Sequence, residues 1–502
     1  MAAAAEVVLS EETRRFLAAD HQLLINNEWV NARDGDRIPV IDPATGDQVA
    51  EAEGASVADI DRAVAAARTA LNGPWSRVSP ADRGRLIWKL ADLMEAHGQT
   101  LCELEVLDNG MPMFAAQVGA LQFATNYLRY YAGWAGKILG DTIPTSRPSL
   151  DPDAENLVYT LREPVGVVGA IIPWNAPAPM MAVKLGPALA TGCTLVLKVA
   201  ELTPLTNLFM ARLLVEAGFP PGVVNVLPGY GHTAGAALAQ HPDVDKVAFT
   251  GSTDVGKDIV RASAGNLKRV TLELGGKSPV VVMDDADVDQ AVAGAIPAAF
   301  FLSGQNCMAG TRLLLHKKIE AEFLDKLTQG VQALKVGSGF DPEVIIGPLI
   351  SDQQRQRVLG LIDAARSEGA EILTGGAATG ERGFFVQPTV AAGTTSQMRV
   401  VQEEVFGPVL SVRTFDTRDV DEIAAEANAT VYGLSGSVWT KDLSVAHRLV
   451  KRIDSGQVSI NCHAAIDPAT PFGGNKQSGW GREFGKEGLE PYLKTKAVSV
   501  AL

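Results

Sequence analysis

The chain has 502 residues, 44 Lys and Arg against 58 Asp and Glu, a formal net charge of −14, and 46% hydrophobic residues. That length suits two or three domains rather than one small module. The acidic balance excludes a broad basic surface for nucleic acid, but not a phosphate held in one pocket by backbone N–H groups. Apolar residues at helical spacing predict helices over Ile60–Ala70 and Ala81–His97. Asn109-Gly-Met-Pro112 breaks the pattern, and Gln117–Ile138 resumes it as a long helix. Leu139–Asn156, rich in Gly, Pro, Asp and Ser, reads as an excursion between units. A β–α–β rhythm follows: strand Val165–Ile172, helix Ala182–Thr191 stopped by Gly192, strand Thr194–Lys198, helix Thr206–Ala217 stopped by Gly218, then strands Val223–Leu227 and Lys246–Thr250. Short glycine-rich connections in such a rhythm signal a parallel, doubly wound sheet. A second alternating region runs from Thr271 to about Ser478. It has strands at Val270–Leu274, Pro279–Met283, Val409–Phe415 and Gln457–Asn461, and helices at Val288–Phe301 and Ile319–Ala333. Thr495–Leu502 reads as a terminal strand, which needs a partner in its own chain or in another subunit.

The Ala-rich start lacks a basic n-region, and no apolar run approaches the ~18 residues of a membrane span, so no membrane partner is expected. Neither His-Glu-x-x-His nor Cys-x-x-Cys occurs, so no metal is expected. Cys102, Cys193, Cys307 and Cys462 are too scattered for a disulfide framework and read as thiols in a reducing, cytoplasmic setting. Two glycine-rich turns follow strands, Gly229–Gly235 and Gly251–Gly256. Each alone is first an ordinary strand–helix turn, and second a place where backbone meets a pyrophosphate. Glu201, past a strand end with Lys198, is either a solvated carboxylate or a partner for ribose hydroxyls.

Three of the four thiols read as packing groups. Cys307 sits among small polar residues in Ser303–Gly310, where a turn can expose it, and the reactive and packing readings stand level there. Glu273 interrupts an apolar strand, so it is paired or kept for a raised pKa. Asn175 follows a strand in Ile171–Pro177, where its amide can make a structural bond or donate to an oxyanion. Thiol, carboxylate and amide together suit covalent catalysis at a carbonyl.

Seven motifs in order resemble the NAD(P)-dependent aldehyde dehydrogenase superfamily over about Leu24 to Val500: Pro173-Trp-Asn175, Lys198-x-x-Glu201-x-x-Pro204, Phe249–Gly256, Leu272–Lys277, Gly304-Gln-x-Cys307, Glu404–Pro408 and Pro471–Gly479. The resemblance implies an α/β fold with a Rossmann-like cofactor domain (1–141 and 165–274), an α/β catalytic domain (275–477), and small β oligomerisation segments (142–164 and 478–502). It implies an NAD-dependent, hydrolytic enzyme acting through a thiohemiacetal and a thioester. Cys307 would be the nucleophile. Asn175, with the Cys307 N–H, would hold the oxyanion. Glu273 would activate water, in a polar network with Glu483 and Lys184. Lys198 and Glu201 would hold the adenosine ribose, Gly251 and Ser252 the pyrophosphate, and Glu404 the nicotinamide ribose, with Trp174 and Phe406 lining the cofactor site. Glu201 favours NAD, with NADP weaker.

The tunnel would be lined by Phe123, Ala176, Met180, Val183, Phe301 and Ile466. Ala176, Val183 and Ile466 stand where many members carry aromatic rings, so the expected substrate is a bulky or long hydrophobic aldehyde. Ile460-Asn-Cys-His463 with Gly479–Glu483 is most similar to the bacterial phenylacetaldehyde-type branch. Val199 replaces a frequent Pro. Glu273 argues against a coenzyme A-acylating enzyme and against a phosphate reductase. The three polar groups together argue against a silent binding protein. The family also implies a homo-oligomer, a tetramer before a dimer.

Overall fold

A computed structural model describes residues 8–145 and 155–502. Part of the expected excursion, residues 146–154, lies outside that range. Two large sheets form the frame. The first has eight strands. At its centre Val224–Pro228, Thr194–Val199, Val167–Ile171, Lys246–Thr250 and Arg269–Glu273 run parallel in that spatial order. Their side chains are almost all buried, as a parallel sheet covered on both faces requires. The chain winds outward from Val167–Ile171 on one side, then returns to its other side at Lys246–Thr250. That reversal opens a crevice beyond the C-terminal strand ends, where α/β sheets bind ligands. The segments that emerge there carry Trp174 and Asn175 on one side and Gly251 and Ser252 on the other.

The second sheet has seven strands, centred on Val409–Phe415, Arg312–His316 and Pro279–Val282. The chain passes from the first sheet to the second through Leu274–Ser278, directly after Glu273. A third sheet pairs Leu493–Ala501 with Asn156–Pro164, and that strand with Thr142–Ile143. The terminal strand thus finds its partner within its own chain.

Several elements differ from the expectation. The helix foreseen over Gln117–Ile138 is a wide-turn helix at Ala115–Gln122 followed by an α-helix at Phe123–Trp134. The wide turn brings Gly119 close to Phe301, where a Cβ would stand 3.1 Å from the end of the ring. The strand foreseen at Gln457–Asn461 shortens to Ser459–Ile460, because Asn461 turns left-handed (φ 51°) and its amide bonds to Thr440. The helix foreseen at Ala182 begins at Pro177, since proline is well placed in a first turn. Cys102 and Cys193 are buried as expected, but Cys462 is exposed, as it lies beyond that shortened strand.

Candidate active site

A cavity of about 480 Å³ opens at the crevice. Trp174, Asn175, Ala176, Gly251, Ser252, Glu273, Cys307, Glu404 and Phe406 all line it, with Phe123, Met180, Phe301 and Ile466. Three segments far apart in sequence therefore bring the thiol, the carboxylate and the amide to one wall.

The Cys307 loop is held in an uncommon backbone shape. The helix Val288–Phe300 is stopped by Leu302, Ser303 and Gly304, all left-handed (φ 52°, 57° and 68°). Two of these are not glycine, and each such residue costs about 1–3 kcal/mol, so neighbours must hold it. Ser303 Oγ donates to the Gly347 carbonyl at 2.9 Å, and Gln305 Oε1 accepts from Ile350 N–H at 2.9 Å. A side chain at Gly304 would strike the Gly407 carbonyl. The thiol that emerges is half-buried. Burial, then the nearby carboxylates Glu404 and Glu273, push its pKa up.

Asn175 is buried, and its Nδ2 donates to the Gln305 carbonyl at 3.0 Å, two residues before the thiol. One N–H is used there, and the amide has a second. Glu273 is buried and its Oε2 has no partner. Burial and then the Glu483 charge drive its pKa well up, while Lys184 and Arg482 oppose the shift. Lys184, fully buried, donates to Glu483 and to Thr250 Oγ1, the latter at 2.7 Å.

Two consecutive glycines, Gly275 and Gly276, let the chain after Glu273 pass close to Glu404 and to the Cys307 loop. A side chain at Gly275 would strike the Glu404 carboxylate, and one at Gly276 the Cys307 carbonyl. Gly276 N–H also donates to Glu404 Oε1 at 2.9 Å. Burial pushes the Glu404 pKa up to about 7 in spite of that bond. Trp174 meets Phe406 edge-on, with ring centroids 5.2 Å apart.

Lys198 and Glu201 do not line the cavity. They pair with each other at 2.9 Å at the end of the strand beside Val167–Ile171. Ser252 caps the helix Thr253–Ser263, whereas the Gly229–Gly235 turn stands away from the cavity. Val183 corrects the expected tunnel. The helix Pro177–Thr191 starts at the wall and runs away from it, so Pro179 and Met180 face the cavity while Val183 lies one turn deeper in the core.

The structure adds residues that sequence reasoning missed. Gln354 and Arg357 line the cavity and hold the Glu404–Phe406 segment by its carbonyls, Gln354 Nε2 to Phe406 O at 2.8 Å and Arg357 to Glu404 O at 2.7 Å. Their i, i+3 spacing after Ser351 was the only available signal. Thr250, Phe472 and Phe484 also face the cavity. Among the described residues no cluster of His, Cys, Asp and Glu could hold a metal ion, and no helix is long and apolar enough to cross a membrane.

A family model described as the aldehyde dehydrogenase family matches residues 29–498. Pig mitochondrial aldehyde dehydrogenase is 48% identical over 483 residues, covering 96% of this chain and 91% of that protein. Mouse retinal dehydrogenase 2 is 47% identical over 485 residues, covering 96% and 92%. The structure of a Bacillus cereus aldehyde dehydrogenase in complex with NAD+ superposes with a TM-score of 0.96 at 45% identity, covering 99% of this chain and all of that one. With the motifs in order along the chain and the thiol, carboxylate and amide gathered at one cavity, this chain belongs to the aldehyde dehydrogenase family.

Proposed function

We propose that the chain oxidises an aldehyde to its carboxylic acid with NAD, by hydrolysis rather than by transfer to coenzyme A. The convergence of Cys307, Glu273 and Asn175 on one mostly apolar cavity supports this reading most directly. Cys307 gives up its thiol proton to the unpartnered Glu273 carboxylate, which passes it to solvent, and Sγ adds to the aldehyde carbon. The second N–H of Asn175 and the Cys307 N–H take the oxyanion, where fixed donors are worth most. When bound, NAD supplies the two-electron acceptor that turns the thiohemiacetal into a thioester. Glu273, made more basic by burial and by Glu483, then takes a proton from the water that cleaves the thioester. Lys184 offsets the negative charge of Glu483 beside it.

The residues present fit a dinucleotide. The N-terminus of the helix Thr253–Ser263, capped by Ser252, faces the cavity and suits a pyrophosphate. Glu404 would take the nicotinamide ribose and Lys198 with Glu201 the adenosine ribose. A carboxylate at Glu201 repels a 2′-phosphate, so NADP is the weaker cofactor.

The substrate we infer is a bulky or long hydrophobic aldehyde. Phe123, Met180, Phe301 and Ile466 make the wall apolar, and Ala176 leaves space beside Asn175. The mouse relative is named for retinal, an aldehyde of that kind. Acid formed without coenzyme A, with higher kcat/KM for arylacetaldehydes or long-chain aldehydes than for acetaldehyde, is the expected result. A preference for acetaldehyde would refute the substrate class alone.

The domain reading we favour assigns the first sheet to cofactor binding, the second to catalysis and the third to assembly. Ile143, Leu157, Leu161 and Val500 are exposed on the third sheet, which suits an interface in a homotetramer, with a dimer as second choice. Light scattering tests it. A reducing compartment such as the cytoplasm suits a free nucleophilic thiol.

A further inference from the structure

His463 takes no part in the chemistry above, yet its ring touches the nucleophile loop. Nε2 lies 2.9 Å from the Met308 carbonyl, one residue after Cys307. Nδ1 lies 2.9 Å from Ser437 Oγ, on the strand Ser437–Trp439. Trp439 Nε1 lies 3.3 Å from the same hydroxyl. The chemistry of these groups sets every proton. An indole N–H only donates, so Ser437 Oγ accepts from Trp439. The hydroxyl proton is left for Nδ1. A carbonyl only accepts, so the imidazole proton sits on Nε2. Donation therefore runs one way, from Trp439 through Ser437 and His463 to the backbone beside the nucleophile.

We propose that His463 is a positioning residue: a neutral imidazole, protonated on Nε2, that locks the Cys307 loop to the second sheet. The inference rests on the reading of Cys307 as the nucleophile. The ring fits tightly, since a Cβ at Gly310 would stand 3.0 Å from its Cε1. Ser437, Trp439 and Met308 are all buried, so water cannot readily replace a lost partner. The segment that carries His463 also carries Ile466, part of the cavity wall. One side chain thus ties the wall that meets substrate to the loop that attacks it.

Protonation would reverse only the Ser437 bond: that hydroxyl has two lone pairs and can accept from Nδ1 as well as from Trp439, while Nε2 keeps its bond to the Met308 carbonyl. Burial holds the ring below the ordinary histidine range, with the Met308 bond opposing. The titratable neighbours are the Cys307 and Cys462 thiols, next in chain to Met308 and His463. Among the described residues no charged side chain bonds to the ring.

The test compares full-length His463→Gln, His463→Asn and His463→Leu with wild type, and with Cys307→Ala. A Gln amide can reach the Met308 carbonyl as Nε2 does. An Asn amide stops near Nδ1, and Leu offers neither bond. Misplacement of the attacking atom by ~1 Å costs up to about 100-fold, so His463→Leu and His463→Asn should lose about 10- to 100-fold in kcat. KM for NAD should move less than about 3-fold in all three variants, because uniform binding is untouched. His463→Gln should keep most of kcat. Wild-type kcat in His463→Leu, or equal kcat in His463→Asn and His463→Gln, would each overturn the proposal. If His463→Leu does not fold, the Gln and Asn pair decides. Full oxidation by Cys307→Ala would instead refute the nucleophile assignment itself.

Discussion

The Asn175 side-chain amide donates to the Gln305 carbonyl at 3.0 Å, so the amide we propose as oxyanion donor is anchored to the loop that carries Cys307. The bond fixes the orientation of the amide and leaves its second N–H free to point into the cavity. Asn175→Asp would set a carboxylate oxygen against that carbonyl. Loss of one oxyanion donor costs about 10²–10³ in kcat, and at least that is expected. Rapid-mixing kinetics should place the loss in the formation of NADH, before hydrolysis.

Glu273→Gln separates the two halves of the reaction. NADH should still form in a fast burst, while turnover falls about 10²–10⁴-fold and acyl-enzyme accumulates to be seen by intact-mass measurement. Deacylation in the wild type should rise with pH through a range above the usual carboxylate pKa, because burial and Glu483 raise that of Glu273. The sign for stability is the reverse. The folded protein holds this proton more tightly than the unfolded chain does, so the contribution is full below the unfolded pKa and is lost as pH rises through the folded one. Thermal melts of Glu273→Gln should therefore lose less stability than wild type between acid and neutral pH.

Lys184→Met leaves Glu483 buried without its cation. Breaking a buried pair in this way typically costs about 3–5 kcal/mol, and a fall of that order is expected in denaturant titrations. Lys184→Met with Glu483→Leu should recover much of the stability. It should not restore the wild-type pH profile of deacylation, because the charges around Glu273 have gone.

The two glycines after Glu273 should fail differently. In Gly275→Ala the new methyl meets the end of a side chain, Glu404, which can move. The expected outcome is a raised KM for NAD with modest loss of kcat. In Gly276→Ala it meets the Cys307 backbone, which cannot move without the loop. A loss of about 100-fold in kcat is expected there, as for other misplacements of an attacking group by ~1 Å. Steady-state kinetics with NAD as the varied substrate distinguish the two.

Local signals accounted for much of the frame. Gly192 and Gly218 both close their helices left-handed (φ 92° and 95°), a backbone shape that residues with a Cβ rarely adopt. The parallel strands were legible as short apolar runs between such stops. Cys307, Glu273 and Asn175 stood out because each is a polar group placed against an apolar or glycine-rich pattern. Val183 was misplaced because one helical turn decides between wall and core, and the direction of a helix relative to a cavity is a tertiary fact. The wide turn at Ala115–Gln122 packs near the Phe301 ring, nearly two hundred residues away, a contact that no local pattern marks. Gln354 and Arg357 were missed, and His463 stood only as part of a branch motif, for a related reason. They act on distant backbone carbonyls, and a carbonyl carries no trace of its identity in the sequence.

The passage from the first sheet to the second has a mechanical consequence. Glu273 is the last residue of a strand in one sheet, and Cys307 sits on the loop that enters Arg312–His316 in the other. The spacing of Glu273 and Cys307 is therefore set by how the two sheets are aligned, and turnover reports on that alignment if the two act as proposed. Turnover should decline at denaturant concentrations where both sheets still keep their hydrogen bonds, because a slight shear costs rate long before it costs structure.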